Sequence, residues 1–166
     1  MKKLYLLLFL LIAANSIWAQ TTETFETEPV GSTSFTDNGQ IFNITSQQGT
    51  FDIYNLSGTG WNGTAADNRY IDNSGSTNPT LPVQFTISTA NSAAFTLKSM
   101  YLFLTQSDLS LGSGSVIITG KLNGSTVYTA TQSTGFNSNI NIAEGFSLID
   151  MSVFGGSNNS NTVINT

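Results

Sequence analysis

The sequence contains no cysteine and no histidine. Without cysteine there is no disulfide, no thiolate nucleophile and no ligand set for an iron–sulfur cluster. Without histidine there is no Ser-His-Asp triad and no His-ligated zinc. Carboxylates, hydroxyls, amides and a few cations remain, and oxygen ligands of this kind suit calcium rather than zinc or copper.

Positive charge is also scarce. Two of the five basic residues, Lys2 and Lys3, lie at the N-terminus, and only Arg69, Lys98 and Lys121 follow. These three cations stand against ten acidic residues, so residues 20–166 carry a net charge of −7. A surface of this sign repels nucleic-acid phosphates and anionic membranes, which argues against both as partners.

The one long hydrophobic run lies at the N-terminus. Leu4–Ala14 is apolar, it follows two lysines, and Ile17-Trp18-Ala19 resembles a small-residue cleavage site. This order is typical of a secretory signal peptide, and the run is shorter than the roughly 20 apolar residues of a transmembrane helix. We therefore predict a signal peptide at residues 1–19. The mature chain would begin at Gln20, be secreted or displayed at the cell surface, and have no transmembrane span.

After the signal peptide, short apolar clusters alternate with Thr, Ser, Asn and Gly, and no helix-length amphipathic pattern occurs. This indicates many short strands joined by turns. We predict one all-β domain over residues 20–166, a two-sheet antiparallel β-sandwich of jelly-roll type, with a closed barrel as the alternative. The predicted strands are Thr22–Thr27, Gln40–Thr45, Thr50–Asn55, Arg69–Asp72, Val83–Ser88, Phe95–Thr105, Ser115–Leu122, Ser125–Thr131, Phe146–Phe154 and Thr162–Ile164.

The strongest local signal is Leu122–Ser125, which has Asn-Gly at its centre. Asn-Gly between two alternating runs favours a two-residue type I′ turn, because both turn residues need positive φ. A regular hairpin with this turn pairs Ile118 with Thr129 and turns Ile118 toward the core. The same register places Tyr128 on the more polar face, beside Lys121.

Two groups of residues are candidates for ligand binding. Sugars stack on aromatic rings, and Asn and Asp side chains bond their hydroxyls, so Trp61, Asn62, Asp67 and Tyr70 form a candidate saccharide site, with Tyr128 as a second candidate. The alternative for Trp61 is that it folds back to cap the core. The alternative for Tyr128 is an ordinary cross-strand pair with a threonine.

Acidic residues provide a candidate calcium site. Residues 67–73 contain two carboxylates and two amides in a short stretch, and Glu26 could contribute from the start of the domain. We predict a structural Ca²⁺ with Glu26, Asp67 and Asp72 as ligands, although the spacing is not that of an EF-hand. The alternative is that these are solvated turn residues.

Several segments resemble one broad class of protein, the exported jelly-roll modules of bacterial surface proteins. The matching segments are Phe25-Glu26, Gly31, Asn38–Ile44, Ser115–Gly120, Asn123-Gly124, Val127 and Phe146–Gly155. The signal peptide ending Ala19-Gln20 resembles those of Bacteroidetes-type secreted proteins. The final strand with Asp-Asn that usually follows is missing, which is typical of a truncated C-terminus. The resemblance implies a carbohydrate-binding or adhesion sandwich, broadly galactose-binding-like, often with a structural calcium.

Three functions are consistent with these observations. The first is a non-catalytic module that binds glycans or another cell-surface ligand. The second is a structural spacer or adhesin segment of a larger surface protein. The third is a carboxylate-dependent glycoside hydrolase or lyase, since this chemistry needs only two acids at a set separation; no motif in the sequence marks a catalytic pair, and no catalytic residue is assigned.

Overall fold

The computed structural model describes residues 20–55, 67–73, 82–104, 114–137 and 145–166. The predicted signal peptide and the segment with Trp61 and Asn62 lie outside the described residues. The described part of the chain is all-β, with antiparallel sheets and no α-helix. No helix in it is long and apolar enough to span a bilayer.

The described residues form four separate hydrogen-bonded sheets, β1-β2-β5, β3-β4, β6-β9 and β7-β8, and all pairs are antiparallel. A short 3₁₀ helix at Phe154–Gly156 follows the last strand. The strands are β1 Ser34–Asp37, β2 Gln40–Gln48, β3 Asp52–Asn55, β4 Arg69–Asp72, β5 Gln84–Thr89, β6 Ser99–Phe103, β7 Val116–Leu122, β8 Ser125–Gln132 and β9 Phe146–Asp150.

Phenylalanine rings fill a first hydrophobic cluster, which joins the β1-β2-β5 sheet to the β3-β4 sheet. Its buried members are Phe35, Phe42, Ile44, Phe51 and Ile53. The rings of Phe35 and Phe42 stack at 5.0 Å between centroids, and Phe51 lies 4.4 Å from Phe85 of β5. Side chains alternate between the two faces of a strand, so the apolar residues of β2 and β3 lie on one face of each sheet. These two faces pack against each other as a shared core.

A second cluster joins the β6-β9 sheet to the β7-β8 sheet. Ala130, Ile149, Met151 and Phe154 are buried in it, and Met151 has no exposed surface. Side chains from both sheets and from the adjoining segments surround these four, namely Leu97, Met100, Leu102, Val116, Ile118, Tyr128 and Phe136. The described chain thus has two cores rather than one.

The C-terminal segment links the two halves. Ile164 forms an isolated bridge with Phe95, whose ring packs on the first cluster, through backbone bonds of 2.8 and 2.9 Å. The carbonyl of Thr166 accepts the N–H of Lys121 in β7 at 2.7 Å, and the carbonyl of Asn165 accepts the N–H of Thr89 in β5 at 3.2 Å. The predicted strand Thr162–Ile164 is therefore a single bridge, but it occupies a central position.

Asn165 is a buried polar side chain at this link, with 6% of its surface exposed. Its Oδ1 accepts the backbone N–H of Asn123 at 3.1 Å. Its Nδ2 donates to Asn123 Oδ1 at 3.1 Å and to the Ser92 carbonyl at 3.3 Å. A buried amide is stable only when its donors and acceptors are used, and Asn165 uses them to tie the β7-β8 turn to the loop after β5.

Side chains bond several backbone groups on the outer edge of β1. The N–H of Thr36 donates to Glu28 Oε1 at 2.8 Å, and the N–H of Ser34 donates to the hydroxyl of Ser32 at 3.1 Å. The Ser32 hydroxyl in turn donates to the Ser34 carbonyl at 2.6 Å. The N–H and carbonyl of Ser34 and the N–H of Thr36 are therefore already bonded within the chain.

The Asn-Gly turn predicted between β7 and β8 is confirmed, because Leu122 pairs with Ser125, and Asn123 and Gly124 have φ of 51° and 82°. The register predicted beyond it is wrong. A bulge shifts the pairing between Lys121 and Gly120, so that Tyr128 faces Gly120 and Ala130 faces Ile118.

This register reverses the predicted orientation of Tyr128. The extra residue is Val127, and beyond it every side chain of β8 changes face. Tyr128 packs against the second hydrophobic cluster instead of projecting from the polar face. Its ring covers Gly120, where a methyl group would collide with the ring and lie 2.8 Å from Ile164 Cγ2.

Other strand predictions differ in their success. Arg69–Asp72 is confirmed at both ends, whereas no strand forms over Thr22–Thr27. There Phe25 has a φ of 62°, and its N–H donates to Glu23 Oε1.

β1, which contains one apolar residue, was not predicted. β9 ends at Asp150, not Phe154, because Asp150 Oδ1 accepts the N–H of Ser152 and starts a turn.

We expect Asn165→Ala to lower the free energy of unfolding by about 2–3 kcal/mol, because it removes three side-chain hydrogen bonds and leaves Asn123 unsatisfied. Urea unfolding measures the change. Asn161→Ala is the matched control, since Asn161 is exposed and accepts one bond from Lys98; it should change stability by less than about 0.5 kcal/mol. Equal effects of the two substitutions would contradict the linking role of Asn165.

We expect Gly120→Ala to cost about 1–3 kcal/mol, because the new methyl group overlaps the Tyr128 ring. Gly114→Ala, at a position with nothing within 4 Å, is the control and should be nearly neutral. In a Tyr128→Ala background the cost of Gly120→Ala should shrink. An undiminished cost in that background would show that the ring is not its cause.

Candidate functional site

The faces of β3 and β4 that point away from the first cluster carry two tyrosines. In the antiparallel register Tyr54 pairs with Tyr70, and their ring centroids are 6.4 Å apart. Alternation along the strands turns Ile53 and Ile71 to the core, so the tyrosines lie on the other face. Both rings are half-buried.

The outer face of the β6-β9 sheet is also aromatic. Phe103 pairs with Phe146, with ring centroids 5.3 Å apart, and Tyr101 pairs with Leu148. Tyr101 is 42% exposed and Leu148 55% exposed. The intervening residues Met100, Leu102 and Ile149 face the second cluster, so the aromatic face is the one that does not contribute to that core.

A ring contact connects the two faces. Tyr70 meets Phe146 edge-to-face, with centroids 6.0 Å apart and planes at 70°. Four rings therefore form a continuous row from one sheet to the other, which we call the aromatic strip: Tyr54, Tyr70, Phe146 and Phe103. Aromatic rings prefer such offset and edge-to-face contacts, and these contacts fix the ring orientations.

Carboxylates lie on the same outer faces as the strip, at other positions along the strands. Asp52 and Asp72 are directly opposite each other in the β3-β4 pair, one step beyond the tyrosines. Burial raises the pKa of Asp72, and the charge of Asp52 raises it further, although the backbone N–H of Asn73 opposes them. On β9, Asp150 lies four residues beyond Phe146 and pairs with Ser99; hydrogen bonds from the Ser152 side chain and backbone lower its pKa.

Of the predicted ligand-binding residues, the structure places Tyr70 in the strip. Trp61 and Asn62 lie outside the described residues. Tyr128 lies apart from the strip, in the second cluster, which is on the opposite side of β9. Tyr54, Phe103 and Phe146 were not predicted. The signal that would have found part of the strip is the spacing of Tyr101 and Phe103 at i and i+2 in a strand, which puts both rings on one face.

The predicted calcium ligands do not converge within the described residues. Glu26 Oε1 accepts the backbone N–H of Arg69 at 2.8 Å, so this carboxylate caps the start of β4. Asp67 lies two residues before the start of β4, and Asp72 is the last residue of β4. The four residues of β4 span about 10 Å. In the described part of the chain no three acidic residues are grouped closely enough to hold a metal ion. Calcium binding stays a prediction.

Comparison of the chain with protein-family models, with curated proteins and with solved structures finds no match. The chemistry of the site is therefore argued from its own geometry.

Asp72 on β4 and Asp150 on β9 should have opposite effects on the pH dependence of stability. The pKa of Asp72 is above its ordinary value of 3.8. The contribution of Asp72 to the free energy of unfolding is therefore fully present below that value and is lost as pH rises through the folded-state pKa. The pKa of Asp150 is lowered, so the contribution of Asp150 to the free energy of unfolding is present at neutral pH and is lost as pH falls.

We therefore expect Asp72→Asn to raise the melting temperature at pH 7 and to have less effect under acidic conditions. Asp150→Asn is the matched control and should lower the melting temperature at pH 7 or leave it unchanged. Thermal unfolding from pH 3 to pH 8 measures both. A lower melting temperature for Asp72→Asn at neutral pH would contradict the assignment of Asp72 as a disfavoured buried charge.

Proposed function

We propose that the protein is a secreted or cell-surface, non-catalytic binding module that holds a neutral glycan along the aromatic strip. The observation that carries this proposal is the row of four rings across two sheets, with Tyr101 and Leu148 exposed beside it. Rings offer a large contact area with few torsions to immobilise, which suits the apolar faces of sugar rings.

The fold proposed for this module is a two-layer sandwich of jelly-roll type. One layer would contain β1-β2-β5, the C-terminal segment and β7-β8, since Asn165 and Thr166 bond to β5 and β7. The other would contain β3-β4 and β9-β6, which meet through Tyr70 and Phe146. The two hydrophobic clusters would then lie side by side between the layers. The strip would run across the outer surface of the second layer.

Charge supports neutral glycans over acidic ones. Residues 20–166 carry a net charge of −7; Asp52 and Asp72 lie beside the tyrosines of the strip, and Asp150 lies farther along the outer face of β9. A uronic-acid or sulfated chain would be repelled along its whole length, whereas hydroxyls of a neutral chain can donate hydrogen bonds to these carboxylates. The strip would therefore supply contact area, and the carboxylates would supply orientation.

A glycoside hydrolase is the second candidate function, because Asp52 and Asp72 face each other. Directly opposed residues in an antiparallel pair have Cβ atoms about 4.5–5.5 Å apart, and retaining enzymes hold their carboxyl groups about 5–5.5 Å apart. The raised pKa of Asp72 suits a general acid, which would leave Asp52 as the nucleophile. Release of new reducing ends from a neutral polysaccharide, abolished by Asp72→Asn, would favour this function over simple binding.

Retention on insoluble neutral polysaccharides tests the binding proposal. We expect Tyr70→Ala and Phe146→Ala each to weaken retention about tenfold, as loss of a central aromatic contact typically does. Ile117→Ala is the matched control, since Ile117 is 62% exposed on the outer face of β7 and should not affect retention. Trp61→Ala tests the sequence-based prediction in the same assay.

Melting temperatures separate loss of binding from loss of folding in these variants. Folded strip variants that are retained as well as wild type would exclude the strip as the binding surface. If wild type itself is retained on no polysaccharide, and none raises its melting temperature, the structural spacer or adhesin segment becomes the favoured function.

A further inference from the structure

Two hairpins of this protein close with the same dipeptide. Asn38-Gly39 joins β1 to β2, and Asn123-Gly124 joins β7 to β8. The asparagines have φ of 48° and 51°, and the glycines have φ of 76° and 82°. All four residues are exposed. The two turns are therefore a matched pair in backbone conformation and in sequence.

Asparagine followed by glycine is open to a specific spontaneous reaction. The backbone nitrogen of the glycine attacks the side-chain Cγ of the asparagine, the new C–N bond closes a succinimide, and the side-chain nitrogen leaves as ammonia. Water then opens the ring at either carbonyl, giving aspartate or isoaspartate. Glycine favours the attack because it has no side chain to shield its nitrogen. No oxidant, metal or enzyme is needed.

The two turns differ in what holds the asparagine side chain. Asn123 Oδ1 accepts from Asn165 Nδ2 at 3.1 Å, and the Asn123 N–H donates to Asn165 Oδ1 at 3.1 Å. Asn165 is itself buried. Within the described residues, no hydrogen bond holds the side-chain amide of Asn38. The amide of Asn123 must therefore leave Asn165 before its Cγ can turn toward the Gly124 nitrogen, whereas the amide of Asn38 is free to turn.

We propose that Asn38 is a site of spontaneous deamidation and that Asn165 protects the equivalent Asn123 from the same reaction. Modification at Asn38 adds a negative charge next to Asp37, at the exposed end of β1. Modification at Asn123 would place a carboxylate or an extra backbone methylene against Asn165, at the link between the two hydrophobic clusters. The protection therefore covers the turn whose modification would disturb the fold more.

Peptide mapping by mass spectrometry tests this on the mature chain during incubation in mildly alkaline buffer. A protease that cuts after aromatic residues suits a chain with so few lysines and arginines. We expect Asn38 to be modified about tenfold faster than Asn123, since hydrogen bonds to Asn165 must break first. Asn161, which is exposed but precedes Thr162, should stay unmodified, and Asn62-Gly63 is scored separately. Equal rates at Asn38 and Asn123, or a faster Asn123, would overturn the proposal.

The variant Asn165→Asp tests the protective contact itself. It keeps an acceptor for the Asn123 N–H and removes the donor to Asn123 Oδ1. We expect faster modification of Asn123 with no change at Asn38. Slower modification of Asn123 would show that the Asn165 amide assists the reaction by stabilising the developing oxyanion. Equal acceleration at Asn38 and Asn123 would show that the substitution loosens the fold as a whole. Either result would overturn local protection by Asn165.

Discussion

The fold depends on the contact between the C-terminal segment and two strands that belong to different cores. A chain without disulfides must be held together by packing and hydrogen bonds alone, and here the packing is divided between two clusters. Ile164, with 3% of its surface exposed, pairs with Phe95, while Asn165 and Thr166 bond to β5 and β7. Each cluster would be small by itself, and the segment between them hydrogen-bonds to a strand of each.

The sequence predicted the parts of the fold that depend on local chemistry. The all-β class, the Asn-Gly turn and β4 followed from alternation and turn residues. The register of β7-β8 did not, because a bulge at Val127 adds one residue and reverses the faces of all that follow. Alternation alone cannot reveal this bulge, which places the Tyr128 ring over Gly120 of β7. Thr22–Thr27 failed for a different reason: Glu23 Oε1 accepts the N–H of Phe25, and alternation gives no sign of this local side-chain bond or of the turn at Phe25.

The site was predictable only residue by residue. Tyr70 was identified because it is an aromatic residue among Asn and Asp. Its contact with Phe146 depends on which sheets become neighbours. Because the two residues are 76 positions apart in the chain, no local sequence pattern indicates this contact. The facing of Asp52 and Asp72 is likewise a property of strand register. Sequence patterns indicate which face a side chain occupies, whereas long-range pairing decides what it meets there.

The side-chain bonds along the edge of β1 have a consequence for association between copies of the chain. An edge strand with unpaired N–H groups is a template for another strand, and it invites stacking of chains into fibrils. Glu28 and Ser32 occupy the outward backbone groups of Thr36 and Ser34. A second chain that paired with this edge would first have to break these bonds, which disfavours aggregation through β1.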